Sequence, residues 1–292
     1  MLVTSPMARG FFQRAISQSG GAMGTLGMTL KTAEEQGKAY LSKLGANDIK
    51  AARALSAETI QKDTQGMGSF RPVADGETIV ENPYEMFEAG KFNDTPILVG
   101  TNSNEGGLFV TQIVTGTGFE KMVRGSYGAS AEDILKVYPH DMEADATRSA
   151  KDLMRESTFA WPTWAWAKMQ STKGKNKAFV YYFDHRTPAS PDGANHAAEI
   201  PYVFGNPGGM GGGSGPEDKA LSELISSYWI NFAKKGDPNG PGLPVWPAFD
   251  GKEQATMIFD GTPGSRPHPN IEQIRAFDAH FARMRAESKA KE

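Results

Sequence analysis

Cysteine is absent from the 292-residue chain, which removes disulfides, thiol nucleophiles and cysteine-ligated metals. Histidine is sparse, with five residues, and none stands in the His-Glu-x-x-His spacing of a zinc helix. Positive charge is not in excess: 31 Lys and Arg face 34 Asp and Glu, a net charge of −3. That balance gives no basic footprint for nucleic acid and no polybasic membrane patch. No apolar run approaches the roughly 20 residues of a membrane-spanning helix. The opening residues, Met1 to Arg9, lack the charged, apolar and small-residue profile of a secretion signal. They read either as an ordinary tail or as a start placed inside an element that began earlier. The Gly-rich stretch from Pro207 to Pro216 holds neither a Gly-Lys-Ser/Thr phosphate cradle nor a dinucleotide fingerprint, so it reads as a mobile surface loop and no cofactor is expected.

What is present is enough for a packed core. Hydrophobic residues make up 39% and charged residues 22%, a globular composition. Four segments read as strands: Phe11–Ser19, Thr95–Thr101, Ala178–Phe183 and Thr256–Phe259, with a further brief strand at Thr78–Val80. Thr95–Thr101 and Ala178–Phe183 are continuous apolar runs, the mark of strands covered on both faces in a parallel sheet. Helical spacing or capping residues predict helices over Thr32–Leu44, Asp48–Ala54, Ser56–Lys62, Asn82–Ala89, Ser130–Val137, Asp145–Lys168, Lys219–Lys235 and Ile271–Arg285. The aromatics Phe159, Trp161, Trp164 and Trp166 read as core or pocket wall, because a base-stacking platform would want interleaved basic residues. Gln65–Asp75 reads as a loop. Strands alternating with helices predict an α/β fold, and few strands for so many helices predict an incomplete sheet.

Two polar residues follow apolar strands at their C-terminal ends, where open α/β sheets place their sites. Glu105 comes just after the strand at 95–101. His196 lies in a loop of small residues after the strand at 178–183. A loop glutamate is more often solvated than catalytic, and His196 taken alone has the better claim of the two, in a setting that is tight but generic. Their order, acid then histidine, is that of the α/β-hydrolase triad, with the nucleophile expected earlier than both. His185 competes for the histidine role from a similar position. His140, His268 and His280 read as surface residues. The nucleophile search fails. Ser19, Ser126 and Ser214 each sit near glycine, yet none completes Gly-x-Ser-x-Gly.

Taken in order, several segments resemble the type B carboxylesterase family, which includes cholinesterases and bacterial p-nitrobenzyl esterases. Ser5 to Gly20 (Ser-Pro-Met-Ala-Arg-Gly-Phe-Phe-Gln-Arg-Ala-Ile-Ser-Gln-Ser-Gly) resembles the segment following that family's serine elbow. Phe70–Gly76 and Gly90–Asn93 resemble landmarks on the way to the acid loop. Gly100–Gly106 resembles the segment with the triad acid, and Gly193–Gly205 the segment with the triad histidine. The resemblance implies the C-terminal part of an α/β-hydrolase domain over residues 1–292, with Glu105 as acid and His196 as base. It places Ser19 and Glu199 behind that pair, and Leu108 and Phe109 in the substrate pocket. Leu108 and Ala198 stand where cholinesterases carry aromatics, which implies a neutral carboxylic ester rather than a choline ester. The serine elbow and oxyanion glycines are expected upstream of residue 1, in a missing N-terminal half. The isolated chain is then expected to be weakly active or inactive. The alternatives are a non-catalytic cholinesterase-like interaction module and a truncated product without function.

Overall fold

The strand segments assemble into one five-stranded sheet in a computed structural model that describes residues 1–24, 28–64, 71–209, 212–251 and 255–290. The strands are β1 (Ala15–Gln18), β2 (Ile97–Asn102), β3 (Ala178–Phe183), β4 (Ala255–Phe259) and β5 (Gly264–Pro267), and they lie side by side in that order. β1 to β4 run parallel and β5 returns antiparallel to β4. Every residue of β2 and β3 is buried, as their unbroken apolar runs require. The sequence reading missed β5, because Gly-Ser-Arg-Pro has no apolar alternation. Turn chemistry makes it instead. Asp260 Oδ1 accepts from the Thr262 amide at 2.8 Å, and Oδ2 accepts from Arg266 Nη2 at 2.6 Å.

Contacts group the described residues into two compact units. Met1–Arg9 with Thr25–Asn93 form one; Gly10–Gly24 with Asp94–Glu292 form the other, which carries the sheet. The first unit holds α1 (Leu30–Lys43), α2 (Ile49–Arg53), α3 (Ala57–Thr64) and α4 (Pro83–Glu88). Each starts on a capping side chain: Thr29, Asp48, Ser56 and Asn82 accept amide hydrogen bonds at 3.2, 2.7, 3.1 and 2.9 Å. The strand expected at Thr78–Val80 does not form. Asp75 Oδ1 accepts from the amides of Glu77, Thr78 and Ile79 at 2.9, 2.8 and 3.0 Å, which curls the segment into a loop. Residues 65–70 of the expected loop, Phe70 among them, lie outside the described residues, as do residues 210 and 211 of the Gly-rich stretch.

The second unit adds α5 (Gly116–Tyr127), α6 (Ala131–Leu135), α7 (Glu143–Arg155), α8 (Trp161–Lys173), α9 (Ile200–Val203), α10 (Pro216–Lys235) and α11 (Ile271–Lys289). Three glycines hid α5 from the sequence reading by lowering its helix propensity. It forms on the Thr115 cap and on buried Phe119 and Val123, four residues apart. The single helix expected over 145–168 is α7 and α8 joined by a π-helical turn at Glu156–Ala160. Pro162, just inside α8, has no N–H to give the preceding turn, which loosens the ladder there. On one side of the sheet, Phe179, Tyr181, Tyr228, Trp229, Phe232, Trp246 and Phe259 form an aromatic core. Trp161 stacks on Phe281 at 3.8 Å between ring centroids. Among the described residues no helix is long and apolar enough to cross a membrane.

Gly100 explains itself by its partner. It lies opposite Tyr181, and a Cβ there would sit 2.3 Å from the Tyr181 ring and 2.4 Å from its carbonyl oxygen. Gly100→Ala should therefore destabilise the chain by about 3 kcal/mol, the upper end of overpacking costs. A urea midpoint equal to that of the parent would contradict this.

Candidate active site

β1, β2 and β3 are neighbours, and polar groups gather beyond their C-terminal ends. Ser19 follows β1. Glu105 opens a short 3₁₀ turn, Glu105–Leu108, just after β2. After β3 the chain loops back so that Asn195 bridges in parallel to Asn104. That bridge, with Asn104 N donating to Ala194 O at 2.8 Å, sets His196 beside Glu105.

The Glu105 carboxylate is fully buried, at 0% exposure, and each of its oxygens is engaged. Oε1 accepts from the Asn102 amide at 2.8 Å and from the Ser19 hydroxyl. Oε2 lies 2.5 Å from His196 Nδ1. A carboxylate only accepts, so Nδ1 carries the proton and Nε2 is the basic nitrogen. Among the described residues no hydrogen bond engages Nε2, and the side chain is 35% exposed. Phe159 and Phe109 pack against the imidazole at 4.9 and 5.8 Å. Leu108 shares with His196, His185, Ser190 and Tyr202 the wall of a cavity of about 130 Å³.

Glu199 is buried behind this pair. It accepts from Gln18 Nε2 at 2.8 Å and from Asn102 Nδ2 at 2.5 Å, and Asn102 Nδ2 also donates to Asn195 O at 2.8 Å. Gln18 in turn accepts from Trp229 Nε1 at 3.2 Å. Burial pushes the Glu199 carboxyl above its ordinary range, against the pull of the Gln18 and Asn102 hydrogen bonds. One carboxylate thus ties the ends of β1 and β2 to the histidine loop. Among the described residues, Ser19 (φ 56°) and Ala197 (φ 70°) are the non-glycine residues in left-handed backbone. Such conformations cost about 1–2 kcal/mol each and cluster where geometry is over-determined. Both flank the Glu105–His196 contact.

The other candidates fall elsewhere. His185 pairs with Asp218 at 2.8 Å, and Tyr202 donates to the same carboxylate oxygen at 2.7 Å. Ser126 and Ser214 are exposed, and the Ser19 hydroxyl is committed to Glu105. His268 is not a surface residue: its Nδ1 accepts from the Asn270 amide at 3.2 Å, and its ring packs 5.2 Å from Tyr182. Burial, with Arg155 nearby, pushes it down to about 3 and keeps it neutral. His140 and His280 are half-buried against Phe119 and Tyr127 rather than free on the surface. Sequence reasoning missed Gln18, Asn102 and Ser103, whose roles exist only once three distant segments meet. Among the described residues no group of three or more His, Asp or Glu is placed to hold a metal ion.

The hydrogen bond to Glu105 raises the His196 pKa; partial burial opposes it, and the Glu105 and Glu199 charges add to it. In an ¹⁵N-histidine NMR titration, His196 should titrate above the ordinary imidazole value of about 6.5, while His268 stays neutral through the accessible range. The bond's contribution to stability is complete below about pH 6.5 and is lost as the pH rises through the raised value. A His196 midpoint at or below that of free imidazole would refute the contact.

The model of the carboxylesterase family matches residues 1–276. The chain belongs to the carboxylesterase family. Within that family it is 30% identical to para-nitrobenzyl esterase of Bacillus subtilis (strain 168), over 89% of this chain and 55% of that protein. It is likewise 30% identical to carboxylesterase 4A of Bos taurus, over 88% of this chain and 54% of that protein. A solved structure of PNB esterase superposes with a TM-score of 0.77 at 29% identity, covering 94% of this chain and 60% of that one. The fold is that of an α/β hydrolase. This carboxylesterase-family chain spans about half the length of the curated relatives it matches.

Proposed function

We propose that the chain supplies the acid and the general base of a serine-dependent carboxylic ester hydrolase. Glu105 is the acid and His196 the base. The nucleophilic serine and the oxyanion donors come from polypeptide outside these 292 residues, and the chain forms the C-terminal portion of a single α/β-hydrolase domain. The observation that carries this reading is the 2.5 Å contact between Glu105 Oε2 and His196 Nδ1, with Nε2 left open. In the reaction Nε2 takes the serine proton as the hydroxyl attacks the ester carbonyl, then returns it to the departing alkoxide. Glu105 holds the tautomer and stabilises the imidazolium. Water repeats the sequence on the acyl-enzyme. Leu108 and Phe109 line the substrate side. Leu108 and Ala198 present no aromatic face to a quaternary ammonium, which favours neutral esters.

The outer edge of β1 supports a missing partner. β1 ends the sheet, and beside it Ile16, Phe204 and Ile230 are 38, 77 and 52% exposed. With Gln18, Trp229 and Ala233 they line an open groove of about 710 Å³. An uncovered parallel edge strand with an apolar groove is a liability that proteins usually cover. The test is turnover of p-nitrophenyl acetate by the chain alone and mixed with a separately expressed polypeptide carrying a Gly-x-Ser-x-Gly elbow. Background rates alone and esterase activity in the mixture are expected. Fast hydrolysis by the chain alone, with a fluorophosphonate attached to one of its own serines, would overturn the division of labour.

A further inference from the structure

We infer that Arg155 is a positioning residue for the Glu105–His196 pair and acts on it through Ser103, an inference that rests on the acid and base reading above. Arg155 ends α7 and is only 4% exposed. Its Nε donates to Glu156 Oε1 at 2.7 Å and its Nη1 to Asp152 Oδ1 at 2.7 Å. These two carboxylates are enough to neutralise it. A third bond goes elsewhere: Nη1 also donates to the main-chain oxygen of Ser103 at 2.6 Å. Hydrogen bonds from a charged donor are the strong and geometrically strict ones.

Ser103 touches both loops of the pair. Its amide donates to Phe183 O at 2.9 Å, extending the β2–β3 pairing by one residue. Its hydroxyl accepts from the Ala194 amide at 2.8 Å, two residues before His196. Its chain neighbour Asn102 donates the amide bond to Glu105 Oε1. The fit around it is close. At Gly193, with φ at 132°, a Cβ would sit 2.6 Å from the Ser103 hydroxyl oxygen. The guanidinium therefore fixes a residue that, with its neighbours Asn102 and Asn104, joins the acid loop to the histidine loop.

The charges around each group are few. Arg155 is faced by Asp152 and Glu156, by Tyr182, and by the neutral His268; Tyr138 donates to Glu156 Oε2 at 3.1 Å. Burial opposes the Arg155 charge, but Glu156, Tyr182 and Asp152 outweigh it and keep the group cationic. His196 is faced by Glu105 and Glu199. The charges that move His196 are those of Glu105 and Glu199, and Arg155 acts on it through geometry.

The test uses the whole chain with ¹⁵N-labelled histidine and reads two signals, the His196 titration midpoint and its low-field Hδ1 resonance. In Arg155→Met the midpoint should fall toward the ordinary imidazole value and the Hδ1 signal should broaden or move upfield, with the His185 resonances unmoved. Arg155→Lys, which keeps a charged donor, should recover at least half of the shift. Should the single Met variant unfold because Glu156 is left unpaired, Arg155→Met with Glu156→Gln removes both charges, and the same shift is expected. A folded variant with the parent His196 midpoint overturns the inference. So does a double variant that fails to fold, since Arg155 would then be holding up the core. If the parent His196 titrates as free imidazole without a low-field proton, the acid and base reading itself falls, and the inference with it.

Discussion

Combined with a polypeptide that supplies the nucleophile, the His196→Ala variant should hydrolyse p-nitrophenyl acetate with kcat/KM lower by about 10⁴-fold, because removing one triad member leaves only the oxyanion donors and binding. Glu105→Gln should cost nearly as much, for a reason visible in its partners. Asn102 N points at Oε1 as a donor, so a glutamine must turn its carbonyl oxygen that way. Its NH₂ then faces His196 Nδ1, which has to accept. The tautomer flips, Nε2 carries the proton, and the base is gone. Steady-state kinetics of both variants check this, with KM changing far less than kcat. A loss below tenfold in either would mean that the pair does not transfer the proton.

The residues of that argument were unequally legible in the sequence. The bounds of β3 coincide with the apolar run Ala178–Phe183, because a strand buried on both faces has to be apolar throughout. Glu105 and His196 could be picked out because each follows such a strand and each sits in a segment resembling the carboxylesterases. Asn102 and Ser103 lie in the same segment as Glu105 but, like Arg155, carried nothing that marked a role. An asparagine at a strand end, the serine after it and an arginine at a helix end are ordinary, and each gains its role from a partner more than 50 residues away. Several of the misjudged elements depend on local side-chain bonds. At β5, at α5 (whose three glycines also hid it) and in the loop at Thr78–Val80, a single side chain, Asp260, Thr115 or Asp75, bonds to nearby amides. Apolar periodicity is blind to those bonds. His268 was misplaced because position in a Pro-flanked loop says nothing of what folds over it.

Gly106→Ala should remove the site without removing the fold. A Cβ at Gly106 would lie 2.1 Å from the Lys151 carbonyl oxygen and 2.8 Å from its Cα and carbonyl carbon. All three are main-chain atoms in the middle of α7, and none can swing aside as a side chain could. α7 is also held by the Arg155 bonds to Ser103 and Asp152. The 3₁₀ turn is then the part that yields, and Glu105 is its first residue. A displacement of about 1 Å there breaks contacts to Asn102 N, Ser19 and His196 together, and misplacements of that size cost on the order of 10²-fold in rate. The expected result in the complemented enzyme is a kcat/KM lower by about 10²–10³-fold. Stability should fall by about 3 kcal/mol, and the His196 midpoint should drop back toward free imidazole. Gly125→Ala is the control. It lies in α5 with nothing within 4 Å of an added Cβ, so it should leave the rate unchanged and raise stability by about 0.5–1 kcal/mol. Parent-like kinetics in Gly106→Ala would mean that α7 gives way instead, and that the position of Glu105 is set by the sheet alone.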